Sequence, residues 1–150
     1  MRCVVQRVKY ANVFVKDVLI SEIKEGFLVL VGVQINDNED DINYLTRKIS
    51  NLRIFDDENG KLNLSIKEIN GEILLISQFT LLGSVKNGFR PDFTRAEKGE
   101  KAKNLIKIFK NSLEENGLKV KEGIFGEIMD IEFVNSGPVT IIIDSKFRDF

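Results

Sequence analysis

Between Gly26 and Val33 the chain runs Gly-Phe-Leu-Val-Leu-Val-Gly-Val, without one polar side chain. The run is far shorter than the ~20 residues that would span a bilayer. Its β-branched content and lack of alternation mark a central strand buried on both faces. Such a strand needs apolar cover on each side, and the remaining elements supply it. Cys3 to Val8, Asn12 to Val15 and Val18 to Ile23 have strand character, with a tight turn at Lys16-Asp17. Ile73 to Phe79 reads as a second buried strand. Strands are also predicted at Arg53 to Phe55, Leu62 to Leu64, Lys119 to Glu122, Met129 to Asn135 and Val139 to Ile143. Helical spacing appears twice, at Ile42, Leu45, Ile49 and Leu52, and again at Ala102, Leu105, Ile106, Phe109 and Leu113. Asn36-Asp37-Asn38 can cap the first helix and Gly117 can close the second. Leu82 to Arg95 shows no periodicity and reads as a long loop. The expected fold is α+β: a mostly antiparallel sheet, curled or doubled and barrel-like, covered by two principal helices. With 150 residues, a single domain over 1–150 is expected.

The sequence contains no histidine and only one cysteine, Cys3. Ser-His-Asp and Cys-His catalysis are thereby excluded, as are histidine-based metal sites and internal disulfides. Any chemistry must come from carboxylates, lysines, hydroxyls, backbone amides or the substrate. No signal-peptide pattern precedes the first strand, so the cytoplasm is the expected compartment and no membrane partner is expected. The net charge of −1 hides an asymmetry: Ser84 to Lys110 carries +5 and the rest −6. Lys103, Lys107 and Lys110 line one flank of the second helix. They are either a solvated helix face or a phosphate-binding patch on an otherwise acidic body.

Two short segments could carry chemistry. Ser77-Gln78-Phe79-Thr80-Leu81 ends a buried strand in hydroxyl and amide side chains. A strand terminus satisfying its last backbone groups would look the same. Asn135-Ser136-Gly137-Pro138-Val139-Thr140 lies between two apolar strands, where a hairpin turn is the plain explanation.

Taken in order with their flanks, these segments resemble the D-aminoacyl-tRNA deacylase family. The resemblance begins at Gln6-Arg7-Val8 and Gly26 to Val33. It continues through Arg53-Ile54-Phe55, Gly60-Lys61-Leu62-Asn63-Leu64-Ser65, Ser77 to Leu81 and Arg90-Pro91-Asp92-Phe93. Phe125-Gly126 with Met129, and Asn135 to Thr140, complete it. The resemblance implies a homodimer that needs no metal or cofactor. It would hydrolyse the ester joining a D-amino acid, or misplaced glycine, to the 3′ adenosine of tRNA. It places Ser77, Gln78, Phe79 and Thr80 in the catalytic pocket, with Phe125, Met129 and Asn135 among the substrate-binding residues. It joins Gly137 to Pro138 by a cis peptide that enters the partner subunit's pocket, and it assigns Arg7 to bracing that pair. Ser136 stands where many relatives are acidic and Glu127 where a small residue is usual.

An aminoacyl ester is already reactive and has a 2′-hydroxyl beside it. Orientation plus backbone donors for the developing oxyanion can therefore suffice. Thr80 is expected to position or polarise rather than attack, since a threonine nucleophile requires a base. Lys103, Lys107 and Lys110 are expected to hold acceptor-stem phosphates. Two other classes remain open: a non-catalytic RNA-binding module, and a small-molecule-binding regulatory domain, which would leave the basic window unexplained.

Overall fold

In the computed structural model, which describes residues 1–149, the run that opens the sequence argument is β3 (Gly26–Gly32). Its side chains divide between two apolar clusters. Phe27, Val29 and Val31 face a layer of helices, while Leu28 and Leu30 face the inside of the sheet's curl. Burial of a side chain of this size contributes roughly 1.5–3 kcal/mol, so both layers are held by this one strand.

Around it lie β1 (Arg2–Val15), β2 (Val18–Ile23), β6 (Glu72–Ser77), β7 (Lys119–Glu122) and β8 (Asp130–Asp144). The sheet order is β2-β1-β3-β6-β7, with β8 on β1, and the whole curls into a nearly closed barrel. A separate ribbon pairs β4 (Arg53–Asp56) with β5 (Leu62–Ser65). The two predicted N-terminal strands are one, because β1 runs unbroken and changes partners midway. Arg2 to Val8 pairs with β3 and Ala11 to Val15 with β2, while β8 follows both halves. Lys16 and Asp17, with φ of 49° and 63°, make the turn into β2. Most pairings are antiparallel, but β3–β6 and β6–β7 are parallel. Each of those joints is bridged by a segment containing a helix, as parallel neighbours require.

The helices are α1 (Glu39–Ser50) and α2 (Gly99–Glu115). Asn38 caps α1 in a reciprocal capping box with Asp41, so the Asn36–Asn38 segment does cap the helix. Ile42, Leu45 and Ile49 pack with Ala102, Leu105, Phe109 and Leu113 of α2 over the sheet. Gly117, at φ 82°, ends α2.

The C-terminal region departs most from expectation. Asn135 to Thr140 is not a hairpin turn; it lies within the continuous strand β8. Gln6 pairs with Thr140 and Val8 with Asn135, so residues 136–139 stand opposite Arg7 alone. The chain bulges outward there and resumes the same pairing, because β1 supplies partners on both sides of the interruption.

Candidate functional site

β6 keeps Ile73 to Ile76 buried and ends at Ser77, two residues before the predicted end. The Gln78 N–H donates to the Val31 carbonyl at 2.7 Å, the last link to β3. Phe79–Leu82 then forms one turn of 3₁₀ helix, with Leu82 buried as its anchor. The Leu81 N–H donates to the Gln78 carbonyl, and the Arg2 guanidinium donates to the Leu81 carbonyl at 3.0 Å. The turn has no side-chain cap. Among the described residues, the backbone N–H groups of Phe79 and Thr80 have no acceptor, as the first amides of a helical turn do when uncapped. The Gln78 side-chain amide donates to the Thr80 hydroxyl, so the two polar side chains hold one another.

This strand end forms one side of a cleft of about 470 Å³. Ser77, Gln78 and Phe79 line it together with Val31 and Val33. Phe93, Ala96, Ala102, Ile106, Phe125 and Gly126 add to the lining. The cleft is mainly apolar, and its charged lining residues are Glu97 and Lys98. The Lys101 ammonium, 2.7 Å from Glu97, and the Lys98 N–H together hold the Glu97 carboxyl below the usual carboxylate range. The predicted loop supplies Phe93. Ser84 and Asp92 exchange backbone hydrogen bonds of 2.8 Å, which brings Phe93 edge-on to Phe79 with centroids 5.1 Å apart. Thr80 is exposed and does not line the cleft; its hydroxyl reaches it only through Gln78.

A second groove, of about 340 Å³, opens beside the first and shares Ser77, Ile106 and Phe125 with it. Lys103, Lys107, Lys110 and Asn111 of α2 form one wall, and Glu122, Gly123 and Ile124 form the other.

The remaining predicted residues form a different constellation. Arg7 is 8% exposed. Its Nε donates to the Ser136 carbonyl at 3.1 Å, and its Nη1 donates to the Ile54 carbonyl at 2.8 Å and to Asp56 at 3.2 Å. The Asn135 side chain closes the bulge, accepting from the Val139 N–H at 3.2 Å and donating to the Thr140 hydroxyl at 3.0 Å. Between them the Gly137–Pro138 peptide is cis, and both residues are exposed. Neither lines the Ser77–Phe79 cleft of its own chain. Met129 lines neither the cleft nor the groove, packed instead against the apolar cluster inside the sheet's curl with its sulfur beside Gly123.

The structure thus brings Ser77, Gln78, Phe79 and Phe125 together and sets the three lysines beside them. Arg7, Asn135, Gly137 and Pro138 are gathered elsewhere. Phe93, Glu97 and Ile106 also line the cleft, although nothing in the sequence marks them for it. Ile106 belongs by spacing to the core stripe of α2, but it sits at that stripe's edge and is only half-buried. Among the described residues no group of three His, Cys, Asp or Glu side chains is placed to hold a metal, and no helix is long and apolar enough to cross a membrane.

The profile of the family described as D-Tyr-tRNA(Tyr) deacylase matches residues 4–144. A D-aminoacyl-tRNA deacylase from Dictyoglomus turgidum is 53% identical over 146 residues, which cover 97% of this chain and 94% of that one. A solved structure titled c-Myc DNA Unwinding Element Binding Protein superposes with a TM-score of 0.90 at 40% identity, covering 96% of this chain and 98% of that one. Another, titled as a probable eukaryotic D-amino acid tRNA deacylase, superposes with a TM-score of 0.79 at 17% identity, covering 95% and 98%. The second likeness concerns the fold alone.

Proposed function

Because the chain belongs to the D-Tyr-tRNA(Tyr) deacylase family, we propose that it is an esterase that hydrolyses the bond between a D-amino acid and the 3′ adenosine of tRNA. The observation that carries this reading is the pair of unengaged N–H groups at Phe79 and Thr80, beside an apolar cleft. At about 470 Å³ the cleft falls in the range of roughly 300–1,000 Å³ usual for small-molecule sites. Phe79, Phe93 and Phe125 offer ring surface to a nucleobase. With the base seated there, the ester carbonyl lies near Ser77–Thr80, and its oxygen accepts from the two amides. Water adds to the carbonyl carbon and the C–O bond to the ribose breaks. The 3′-oxygen takes a proton, releasing the free amino acid and tRNA. Each preorganised oxyanion donor contributes ~10²–10³ in rate. The neighbouring 2′-hydroxyl orders the water and relays the proton, and Gln78 with Thr80 positions the turn.

The finer reading is a chirality gate in a homodimer. The Gly137–Pro138 bulge projects from β8 and is unused in its own chain's cleft. It is proposed to enter the cleft of a second copy and set backbone atoms on one side of the substrate Cα. Backbone held by Arg7 does not swing between rotamers, so inverting the Cα drives any side chain into it. Glycine, lacking a side chain, passes. The cytoplasm, where aminoacyl-tRNA is made and used, is the proposed compartment.

A non-catalytic nucleic-acid-binding role is the second reading, favoured by the name of the solved relative with a TM-score of 0.90. One assay separates the two: release of free amino acid from D-tyrosyl-, glycyl- and L-tyrosyl-tRNA, with and without a chelator. The esterase reading expects fast, measurable and negligible rates respectively, with no chelator effect. Binding without turnover selects the second reading, and comparable rates on D and L esters overturn the gate.

A further inference from the structure

Resting on the esterase reading, we propose that the lysine-lined groove beside the cleft is a track for the single-stranded 3′ end of the RNA. It would hold the phosphodiesters that immediately precede the terminal nucleoside, not the duplex of the acceptor stem. Continuity is the first ground. The groove and the cleft share Ser77, Ile106 and Phe125, so a strand whose last ester lies at Ser77–Phe79 leaves past Phe125 directly into the groove. Size is the second. A groove of about 340 Å³ is on the scale of a nucleotide or two in extended form, far less than the volume of a helical stem.

Charge placement is the third ground. Lys103, Lys107 and Lys110 recur at four and three residues along α2, so they share one face and span roughly 10 Å at ~1.5 Å rise per residue. That suits successive phosphates on one strand. Lys107 has no carboxylate within 4.0 Å among the described residues, and Lys103 meets Glu100 only at 4.0 Å. Lys110 is steadied between Glu114 at 3.8 Å and Glu122 at 3.7 Å. Both carboxylates are exposed and the separations are long, and pairs near the surface are worth about 0–1 kcal/mol, so a phosphate can replace them. Across the groove, Ile124 and Phe125 are 40% and 37% exposed. Beside Glu122 on that wall, they give unstacked bases an apolar strip opposite the cations, the combination that single-strand sites use.

The test compares wild type with the Lys103→Gln/Lys107→Gln/Lys110→Gln variant on three esters: D-tyrosyl-adenosine, D-tyrosyl-CCA trinucleotide and D-tyrosyl-tRNA. On the trinucleotide and on tRNA the variant should lose kcat/KM about tenfold or more at low salt. Its salt slope should flatten by ~0.7 for each single-strand contact removed. On the adenosine ester it should match wild type. Binding of a fluorescent CCA trinucleotide that carries no amino acid, read by polarisation, should weaken in parallel. That readout is independent of hydrolysis: wild type that binds the trinucleotide through these lysines but cleaves no ester would refute the esterase reading and keep the track. A loss confined to tRNA would assign the lysines to the duplex and overturn the track. Unchanged kinetics and binding on all three would do the same.

Discussion

Arg7→Met removes the guanidinium fork while keeping the aliphatic stem, and so isolates what the fork contributes. Two carbonyls, Ser136 and Ile54, lose a charged donor held at 3.1 and 2.8 Å. Hydrogen bonds to charged groups contribute ~1.5–3 kcal/mol each. The Asp56 side chain is 52% exposed, so its ion pair adds at most ~1 kcal/mol. Partial access of water to Ser136 offsets some of the total, and a net loss of about 3 kcal/mol is expected. At ~2–4 °C per kcal/mol for a chain of this size, the thermal midpoint should fall by ~6–12 °C. Far-UV circular dichroism measures this directly. Arg7→Lys should recover less than half, since one ammonium cannot reach both carbonyls in the fork geometry. Activity measured well below both midpoints, with each protein fully folded, should fall in Arg7→Met because the bulge has lost its anchor. A midpoint within ~2 °C of wild type, with undiminished turnover, would show that the bulge is held by β8 alone.

Thr80→Ala should reduce turnover modestly and leave clear activity, whereas a tRNA lacking the terminal 2′-hydroxyl should lose ~10²-fold or more; an acyl group trapped on Thr80 would reverse that order. Acid should weaken the fold below about pH 4. Burial pushes the Asp41 carboxyl up, but hydrogen bonds from Lys146, Ser145 and the Asn38 N–H outweigh it. Asp144 is likewise raised by burial and lowered further by the amides of Lys146 and Phe147 and by Arg2. Both folded values lie below the unfolded ~3.9, so the stability they contribute is complete above that pH and lost as pH falls through the folded values. Urea midpoints from neutral pH down to ~2.5 should show this, and Asp41→Asn/Asp144→Asn should flatten the dependence; a flat wild-type curve would refute it. Gly26→Ala places a Cβ 1.9 Å from the Glu72 carbonyl oxygen, where only backbone could yield, so little soluble folded protein is expected. Gly60→Ala meets nothing within 4 Å and should cost only about 1 kcal/mol, from its positive φ.

Much of the fold was legible because the patterns were local. The unbroken apolar run of β3, the Asn38 cap and the apolar stripe of α2 each follow from sequence spacing. What escaped depends on partners distant in the chain. Nothing within Val4 to Val15 says that one strand serves three neighbours, because that continuity is imposed by β2, β3 and β8 pairing along it. Gly137-Pro138 reads as a turn because turns and bulges use the same residues. Only the pairing of Gln6 with Thr140 and Val8 with Asn135 distinguishes them. In the site, Ser77 to Phe79 could be read as a strand end. Phe93 and Ile106 could not be placed there, since one arrives through the Ser84–Asp92 bridge and the other looks like core. The basic window was visible as charge, but its position beside Ser77 emerges only when α2 packs against β6 and β7.

The absence of histidine and the make-up of the cleft point to one kind of catalysis. A general base works best with a pKa near the operating pH. The cleft's carboxylate, Glu97, is held below the ordinary range by Lys101 and the Lys98 amide, which makes it a poor proton acceptor at neutrality. Cys3, on β1, is fully buried in the core, and burial pushes its thiol up, so it offers no nucleophile. Among the described residues the Thr80 hydroxyl is hydrogen-bonded to the Gln78 amide and the Ser77 hydroxyl to no side chain, so neither is paired with a base. What the proposed mechanism draws on is geometric: two unengaged amides, an apolar cleft to seat a base, and the proposed lysine track for the strand leading into it. Such a site lowers the barrier only for a substrate that brings its own reactivity, and an aminoacyl ester with an adjacent hydroxyl does so. An amide in the same cleft would lack the good leaving group and the relay. On the proposed reading, specificity for the ester follows from what the cleft omits as much as from what it holds.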